Sequence, residues 1–355
     1  MKKLKLAIIG QGKSGRNIHG AYYLSEANKY YDVTYVVERE EKRREEAEKR
    51  YVGCKTLCDY KELFNLDVDL VVNATTSEQH YAVTKDLLEH GKNVLVEKPF
   101  SKTRLECEEL IRTAKEHGAL LAIFQNTSRS PYYEHILQIL KKGKLGKVEQ
   151  VDVRYNSFVR RWDWQTSQRR LGGMVYNMGP HEIGIAMGIL EFSPETKVIY
   201  SKLASSHCSG DAEDYVKILL TAPNKPLIDV EMSMIDAYPD YNVKIQGSRG
   251  TFKCTTFEYE YKYYTDEENP EPAYDGSTMK DENGLPRGCR EELKMHEEKG
   301  KYEGTAFEIG TANIYKDIYE AITEKKPLKI TCEMAQSIIA VMETVVANNP
   351  LPIKY

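Results

Sequence analysis

Gly10, Gly12 and Gly15 stand in the run G-Q-G-K-S-G, directly after the apolar stretch LKLAII and directly before a helical segment. Glycines at this spacing permit a tight turn, close approach of backbone to a diphosphate, and close packing of the helix on the strand. With Lys13 and Ser14 between them, they would open a helix N-terminus, where unpaired N–H groups and the helix dipole attract an anion. Glu38 closes the second apolar run, 23 positions after Gly15. A carboxylate there hydrogen-bonds the ribose hydroxyls of an adenine dinucleotide and repels a 2′-phosphate, which favours NAD over NADP. Arg39, Arg43 and Arg44 follow at once; they either accommodate that phosphate or form a solvated helix face.

The elements that must position these residues are legible as alternation. Short apolar runs (LKLAIIG, VTYVVE, LVVNAT, NVLVEK, LLAIFQN) alternate with amphipathic stretches over the first ~125 residues, the pattern of βαβ units and a parallel sheet. Beyond residue 145, VEQVDVRYNSF, VKILLTA, LIDVEMSMI and NVKIQGSRGTFKC alternate polar with apolar, which suits a mainly antiparallel sheet with one wet face. We therefore expect an α/β protein: a Rossmann dinucleotide-binding domain over 1–125, and an α/β domain with an open, mainly antiparallel sheet for substrate binding and oligomerisation over 126–355. EYEYKYY reads as one face of a strand, 266–304 as a long loop, and NIYKDIYEAITEKKP and CEMAQSIIAVMETVVANN as helices.

Composition narrows the class. Charged residues make up 29% with a net charge of −4, so nothing points to nucleic acid. No apolar run approaches the ~18 residues of a membrane helix, and the first run is too short for a signal peptide. Seven scattered cysteines (54, 58, 107, 208, 254, 289, 332) read as reduced thiols of a cytosolic protein; Cys54 and Cys58 lack neighbours to complete a metal site, and no metal is expected.

The run ATTSEQHYAVTKDLLEHGKNVLVEKPFSKT at 74–103, with LGKVEQVDVRY, GGMVYNMGPHEIG at 172–184, VKIQGSRGTFK and the final helix, resembles the glucose-fructose oxidoreductase/inositol dehydrogenase (Gfo/Idh/MocA) family over nearly the whole chain. The resemblance implies that Thr75, Thr76 and His80 border the cofactor and that Glu97 and Lys98 sit beside the nicotinamide, with Asn126 also at the cofactor. It further implies that Lys98-Pro99 is cis. An ammonium at Lys98 would stabilise developing alkoxide charge. If the 172–184 segment is helical, Asn177 and His181 share a face, and His181 serves as the general base. The chain departs from the family at Asn177, where members commonly carry Asp, at Gly184 in place of another aspartate, and at Thr127 in place of an arginine, with Arg129 two places on. An amide orients a hydroxyl but accepts no proton as a carboxylate does.

Arg160, Arg161, Trp162, Asp163 and Trp164 form a polar-aromatic cluster suited to a sugar face, with Tyr155 and Tyr176 as further substrate contacts. The expected activity is hydride transfer between NAD(P) and a secondary alcohol or ketone of a sugar, glycoside or cyclitol, in a homodimer or homotetramer. The alternatives are a glycoside-cleaving enzyme that uses tightly bound NAD for transient oxidation, and a non-catalytic dinucleotide sensor.

Overall fold

A computed structural model describes residues 2–274, 277–288 and 290–355. Cys289 lies outside the described residues, and the other six cysteines are free thiols.

Among the described residues the first sheet contains β1 (Leu4–Ile9), β2 (Tyr31–Val37), β3 (Lys55–Leu57), β4 (Leu70–Asn73), β5 (Val94–Glu97) and β6 (Leu121–Phe124), all parallel in the order β3-β2-β1-β4-β5-β6. Every residue of β4, β5 and β6 is buried, as expected of parallel strands covered on both faces. The helices between them start where the sequence supplies caps. In α4 (Arg104–Glu116), Thr103 and Glu106 form a reciprocal capping box. In α5 (Pro131–Lys142), Ser130 caps, proline takes the first turn, and Gly143 closes the helix at φ +67°. The remaining helices of this half are α1 (Gly20–Leu24), α2 (Glu41–Arg50) and α3 (His80–Glu89). The segment after the glycine run starts as a π-helical turn over Lys13–His19 before continuing into α1.

The second sheet runs β14-β13-β12-β11-β7-β10-β9-β8. Its strands are β7 (Val148–Asn156), β8 (Lys197–Ala204), β9 (Tyr215–Thr221), β10 (Leu227–Ser233), β11 (Val243–Gly247), β12 (Gly250–Cys254), β13 (Glu258–Tyr263) and β14 (His296–Lys301). All pairs are antiparallel except β7 with β10. Strict alternation of buried and half-buried residues in β9 and β10 directs Val216, Ile218, Leu220, Ile228 and Val230 into the core beneath α7 (Gly179–Ile189) and α9 (Cys332–Asn348). The opposite face carries an ion-pair ladder: Arg154 to Asp229 at 3.0 Å, and Lys217 to Asp229 and Glu231 at 2.8 and 3.1 Å.

Two elements differ from the sequence expectation. The stretch 266–304 contains β14, which pairs with the tyrosine strand β13; HEEKGK has no apolar residue to mark it, because both its faces are wet and only the ladder holds it. Helix α8 (Thr311–Glu324) returns to the first sheet, where Ile314, Tyr315, Ile318 and Tyr319 pack with Leu6, Ile8, Tyr22, Tyr23 and Tyr31. Tyr315 stacks on Tyr22 at 4.5 Å, and Tyr31 donates its hydroxyl to the Tyr315 carbonyl at 2.7 Å.

Candidate active site

A cleft of about 660 Å³ lies at the carboxyl ends of the first sheet's strands, roofed by the loop that follows β7. This is where open α/β sheets bind ligands. Gly10, Gly12, Lys13, Ser14, Glu38, Arg39, Thr75, Thr76, His80, Glu97 and Lys98 all line it. Gly10 has φ +92°, and a Cβ there would sit 2.6 Å from the Ala74 carbonyl oxygen; a Cβ on Gly15 would sit 1.9 Å from that of Gly10. Nothing lies within 4 Å of a Cβ built on Gly12. Two glycines thus hold turn and helix together and the middle one leaves space over the helix start, a shape that fits a diphosphate. No side chain caps that helix start.

Glu38 is aimed by the backbone: its carboxylate accepts from the N–H groups of Gln11 at 2.8 Å and Glu40 at 3.1 Å. Arg44 is engaged with the carbonyls of Glu38 and Arg39, and Arg43 with Glu40 at 2.8 Å, while Arg39 and Arg43 border the cleft. The Thr75 hydroxyl donates to Asn73 at 2.7 Å, and the buried Thr76 hydroxyl on the cleft wall has no partner. An orphaned hydroxyl in that wall fits a ligand contact. His80 bridges the carbonyls of Pro99 (2.7 Å) and Thr75 (3.2 Å), and burial lowers its pKa.

At the other end of the cleft, the Lys98-Pro99 bond is cis. Glu97 points behind the cleft to His19 Nε2 at 3.0 Å, and His19 Nδ1 meets the Tyr315 hydroxyl at 2.7 Å. Burial alone would raise the Glu97 pKa, but His19, with Lys98 and His80, holds it at about 2. Glu97 is therefore an ionised support for the strand end.

The 172–184 segment is not one helix. It is α6 (Met174–Asn177) followed by α7, hinged at Met178. Pro180 has no N–H to continue the ladder, and His181 N–H bonds Met178 O at 2.9 Å. The Asn177 carbonyl, released from the helix, accepts Lys98 Nζ at 2.8 Å, while its Oδ1 lies 3.4 Å from Nζ and accepts Gln165 Nε2 at 3.2 Å. Asn177 lines the cleft with Lys98; His181 does not. The expected shared helical face thus gives way to a hinge that hands a backbone carbonyl to the lysine. His181 Nδ1 is bonded to Thr127 Oγ1 at 2.8 Å, and burial with the nearby Lys98 charge pushes its pKa down to about 3. Such an imidazole is neutral at working pH and a weaker base than the sequence reading expects. Burial also lowers the Lys98 pKa, Lys13 and Arg161 adding to it and Glu97 opposing.

The aromatic cluster divides. Arg161 and Asp163 pair at 2.7 Å and line the cleft with Trp164, whereas Trp162 is 79% exposed and turned outward. Arg170 lies over the Trp164 ring and reaches Glu78 of the opposite wall at 3.2 Å, strapping the loop across the cleft. Tyr176 lines the cleft and donates to the Lys102 carbonyl at 3.2 Å; Tyr155 stands on β7 outside it. Asn126 is buried in a single 3₁₀ turn, its carbonyl against Gly310, and does not line the cleft. Arg129 is taken by Asp317 at 2.9 Å and by Glu134. Gln165, His19 and Tyr315 carry no local signal; only the tertiary fold brings them to the site.

Residues 4–125 match the oxidoreductase family, NAD-binding Rossmann fold, and residues 138–349 match that family's C-terminal α/β domain. The uncharacterised oxidoreductase YhhX of Escherichia coli is 25% identical over 91% of this chain and 90% of its own. The scyllo-inositol 2-dehydrogenase (NADP(+)) IolW of Bacillus subtilis is 23% identical over 98% and 94%. Among solved structures, GenD2 from gentamicin A biosynthesis, in complex with NAD, superposes with a TM-score of 0.76 at 20% identity over 98% of this chain and 95% of that one. The chain belongs to the Gfo/Idh/MocA family of oxidoreductases, with an NAD-binding Rossmann fold and the family's C-terminal α/β domain.

Proposed function

We propose that the protein transfers hydride between NAD and a secondary alcohol or ketone of a sugar, glycoside or cyclitol. The observation that carries this reading is Lys98 Nζ, held at 2.8 Å from the Asn177 carbonyl at the end of a cleft that the glycine turn and Glu38 begin. Residues 1–125 serve as the dinucleotide unit and 126–355 as the substrate and assembly unit of a cytosolic homodimer or homotetramer. Gly10, Gly12, Gly15 and the Lys13–Ser14 backbone would hold the pyrophosphate, and Glu38 the adenosine ribose, which favours NAD over NADP. A bound nicotinamide supplies the hydride acceptor or donor.

The chain's own groups handle the proton. Lys98, with its lowered pKa, carries it to and from the substrate oxygen, and in its charged form stabilises an alkoxide. Asn177 and Gln165 aim Lys98. His181, held by Thr127 outside the cleft lining, backs the site as a neutral group rather than touching the substrate oxygen. The relative IolW, a scyllo-inositol dehydrogenase, supports the cyclitol class.

A second reading draws on the strap Arg170–Glu78: a cofactor shut in by the loop suits transient oxidation and re-reduction during glycoside cleavage, with no net NADH. One experiment separates them. NADH absorbance is followed with NAD or NADP across sugars, cyclitols and glycosides, while denatured protein is assayed for released dinucleotide. Turnover lost in Lys98→Ala is the expected result; a Lys98→Ala enzyme as active as wild type refutes the assignment, and aglycone release without NADH moves it to the second reading.

A further inference from the structure

Behind the reacting end of the cleft runs a buried line of hydrogen bonds. Glu97 Oε2 accepts the Lys98 N–H at 3.0 Å, Glu97 Oε1 meets His19 Nε2 at 3.0 Å, and His19 Nδ1 meets the Tyr315 hydroxyl at 2.7 Å. His19 and Tyr315 are fully buried and do not line the cleft, whereas Glu97 and Lys98 do. The line joins three elements: the π-helical turn after the glycine run, the end of β5, and α8, which reaches the first sheet from the far end of the chain. Packing holds the histidine in place, its ring 4.3 Å from that of Phe124 and edge-on to that of Tyr315.

An ionised carboxylate only accepts hydrogen bonds, so His19 Nε2 donates to Glu97; a phenol both donates and accepts, so Tyr315 satisfies Nδ1. Without the His19 donor, Glu97 retains one N–H, that of Lys98, in surroundings whose burial disfavours its charge. The carboxyl then takes up a proton. The other titratable or charged groups facing this pair are His80 from α3, Lys13 from the glycine run, Arg161 from the roof loop and His181 from α7. Lys13 and Arg161 push Lys98 the same way as burial does, and Glu97 supplies the opposing charge.

We propose that His19 and Tyr315 are positioning residues for Lys98: through Glu97 they hold the lysine's backbone amide and keep the carboxylate bonded to it charged, while Asn177 holds the ammonium. The inference rests on the function proposed above for what Lys98 does, but its first readout needs neither cofactor nor substrate. The full chain is labelled with trace acetic anhydride from pH 6 to 10, and acetylation of Lys98 is read by mass spectrometry against the exposed lysines. His19→Met removes the donor at similar volume, His19→Gln retains an N–H, and Tyr315→Phe removes only a hydroxyl and keeps the ring stacked on Tyr22. In His19→Met the Lys98 amine should titrate about one pKa unit lower, so that its labelling at pH 8 rises roughly 10-fold. Tyr315→Phe should move it the same way by ~3-fold, and His19→Gln should stay within ~2-fold of wild type.

An unchanged Lys98 titration in Tyr315→Phe and His19→Met overturns the proposal, and the Phe variant alone decides if the Met variant does not fold. A Gln variant as altered as Met also overturns it, because lost packing then carries the effect. On any sugar, cyclitol or glycoside that turns over, kcat should fall in the Met and Phe variants at unchanged KM for NAD; a change confined to KM for NAD overturns the positioning role. The expected Lys98 titrations with no turnover on any probe support the coupling of His19 to Lys98 and refute the hydride reading alone.

Discussion

Glu213 offers a quantitative test of how the site is held. Its carboxylate accepts the Val175 N–H at 2.8 Å at the start of α6, the helix that delivers Asn177 to Lys98. Gly173 presses on it so closely that a Cβ there would sit 2.4–2.5 Å from the carboxyl atoms. Burial raises its pKa from 4.5 to about 7, against the opposing hydrogen bond. The unfolded chain loses this proton near 4.5 while the folded chain retains it to about 7, so the folded state binds more protons in that window. Stability therefore falls as pH rises from 4.5 to 7 and levels off above. At ~1.4 kcal/mol per tenfold, the loss approaches roughly 3 kcal/mol. Glu213→Gln preserves an acceptor for Val175 and removes the titration. Urea denaturation at intervals from pH 5 to 8 should show the variant close to wild type at pH 5 and roughly 3 kcal/mol more stable at pH 8. An advantage that is equal at both ends would refute the buried-acid argument, and a variant weaker throughout would mean the amide breaks the contact with Val175 or Gly173.

Gly15→Ala drives a methyl into the Gly10 carbonyl, backbone against backbone, and should cost ~1–3 kcal/mol of stability and abolish NADH fluorescence enhancement. Normal NADH binding in this variant would contradict the close-packing role. Glu38→Ala should weaken NAD binding ~10-fold or more while leaving NADP binding less affected, as read by titration with each dinucleotide. Arg170→Ala opens the strap, but both partners are partly exposed. Its effect on cofactor dissociation should stay below ~5-fold by stopped-flow, and a large retention effect would show that the loop relies on this ion pair alone.

How much was legible follows from the range over which each feature is encoded. The glycine run, the acid after the second strand and the Glu97-Lys98-Pro99 stretch are local patterns tied to strand ends, and the parallel sheet announces itself because doubly covered strands are unbroken apolar runs. The domain texture changed visibly near residue 145 for the converse reason: β9 and β10 alternate because one face is wet. What escaped had no local code. Thr127 meets His181 across 54 residues, His19 meets Glu97 across 78, and Tyr315 reaches His19 across 296. β14 has no apolar pattern because its neighbours supply the hydrogen bonds and solvent the rest.

The sequence by itself determined the glycine turn, since only glycine tolerates the backbone approaches at Gly10 and Gly15, and it put an acid, Glu38, at the end of the second strand. Protonation was decided by the tertiary structure. A histidine reads as a base near pH 6.5 until burial and a lysine charge bring it to about 3, and a glutamate reads as ionised until burial brings it to about 8. Residue type fixes the range of a titratable group, but desolvation and neighbouring charge, which exist only once distant segments have packed, decide where in that range it works.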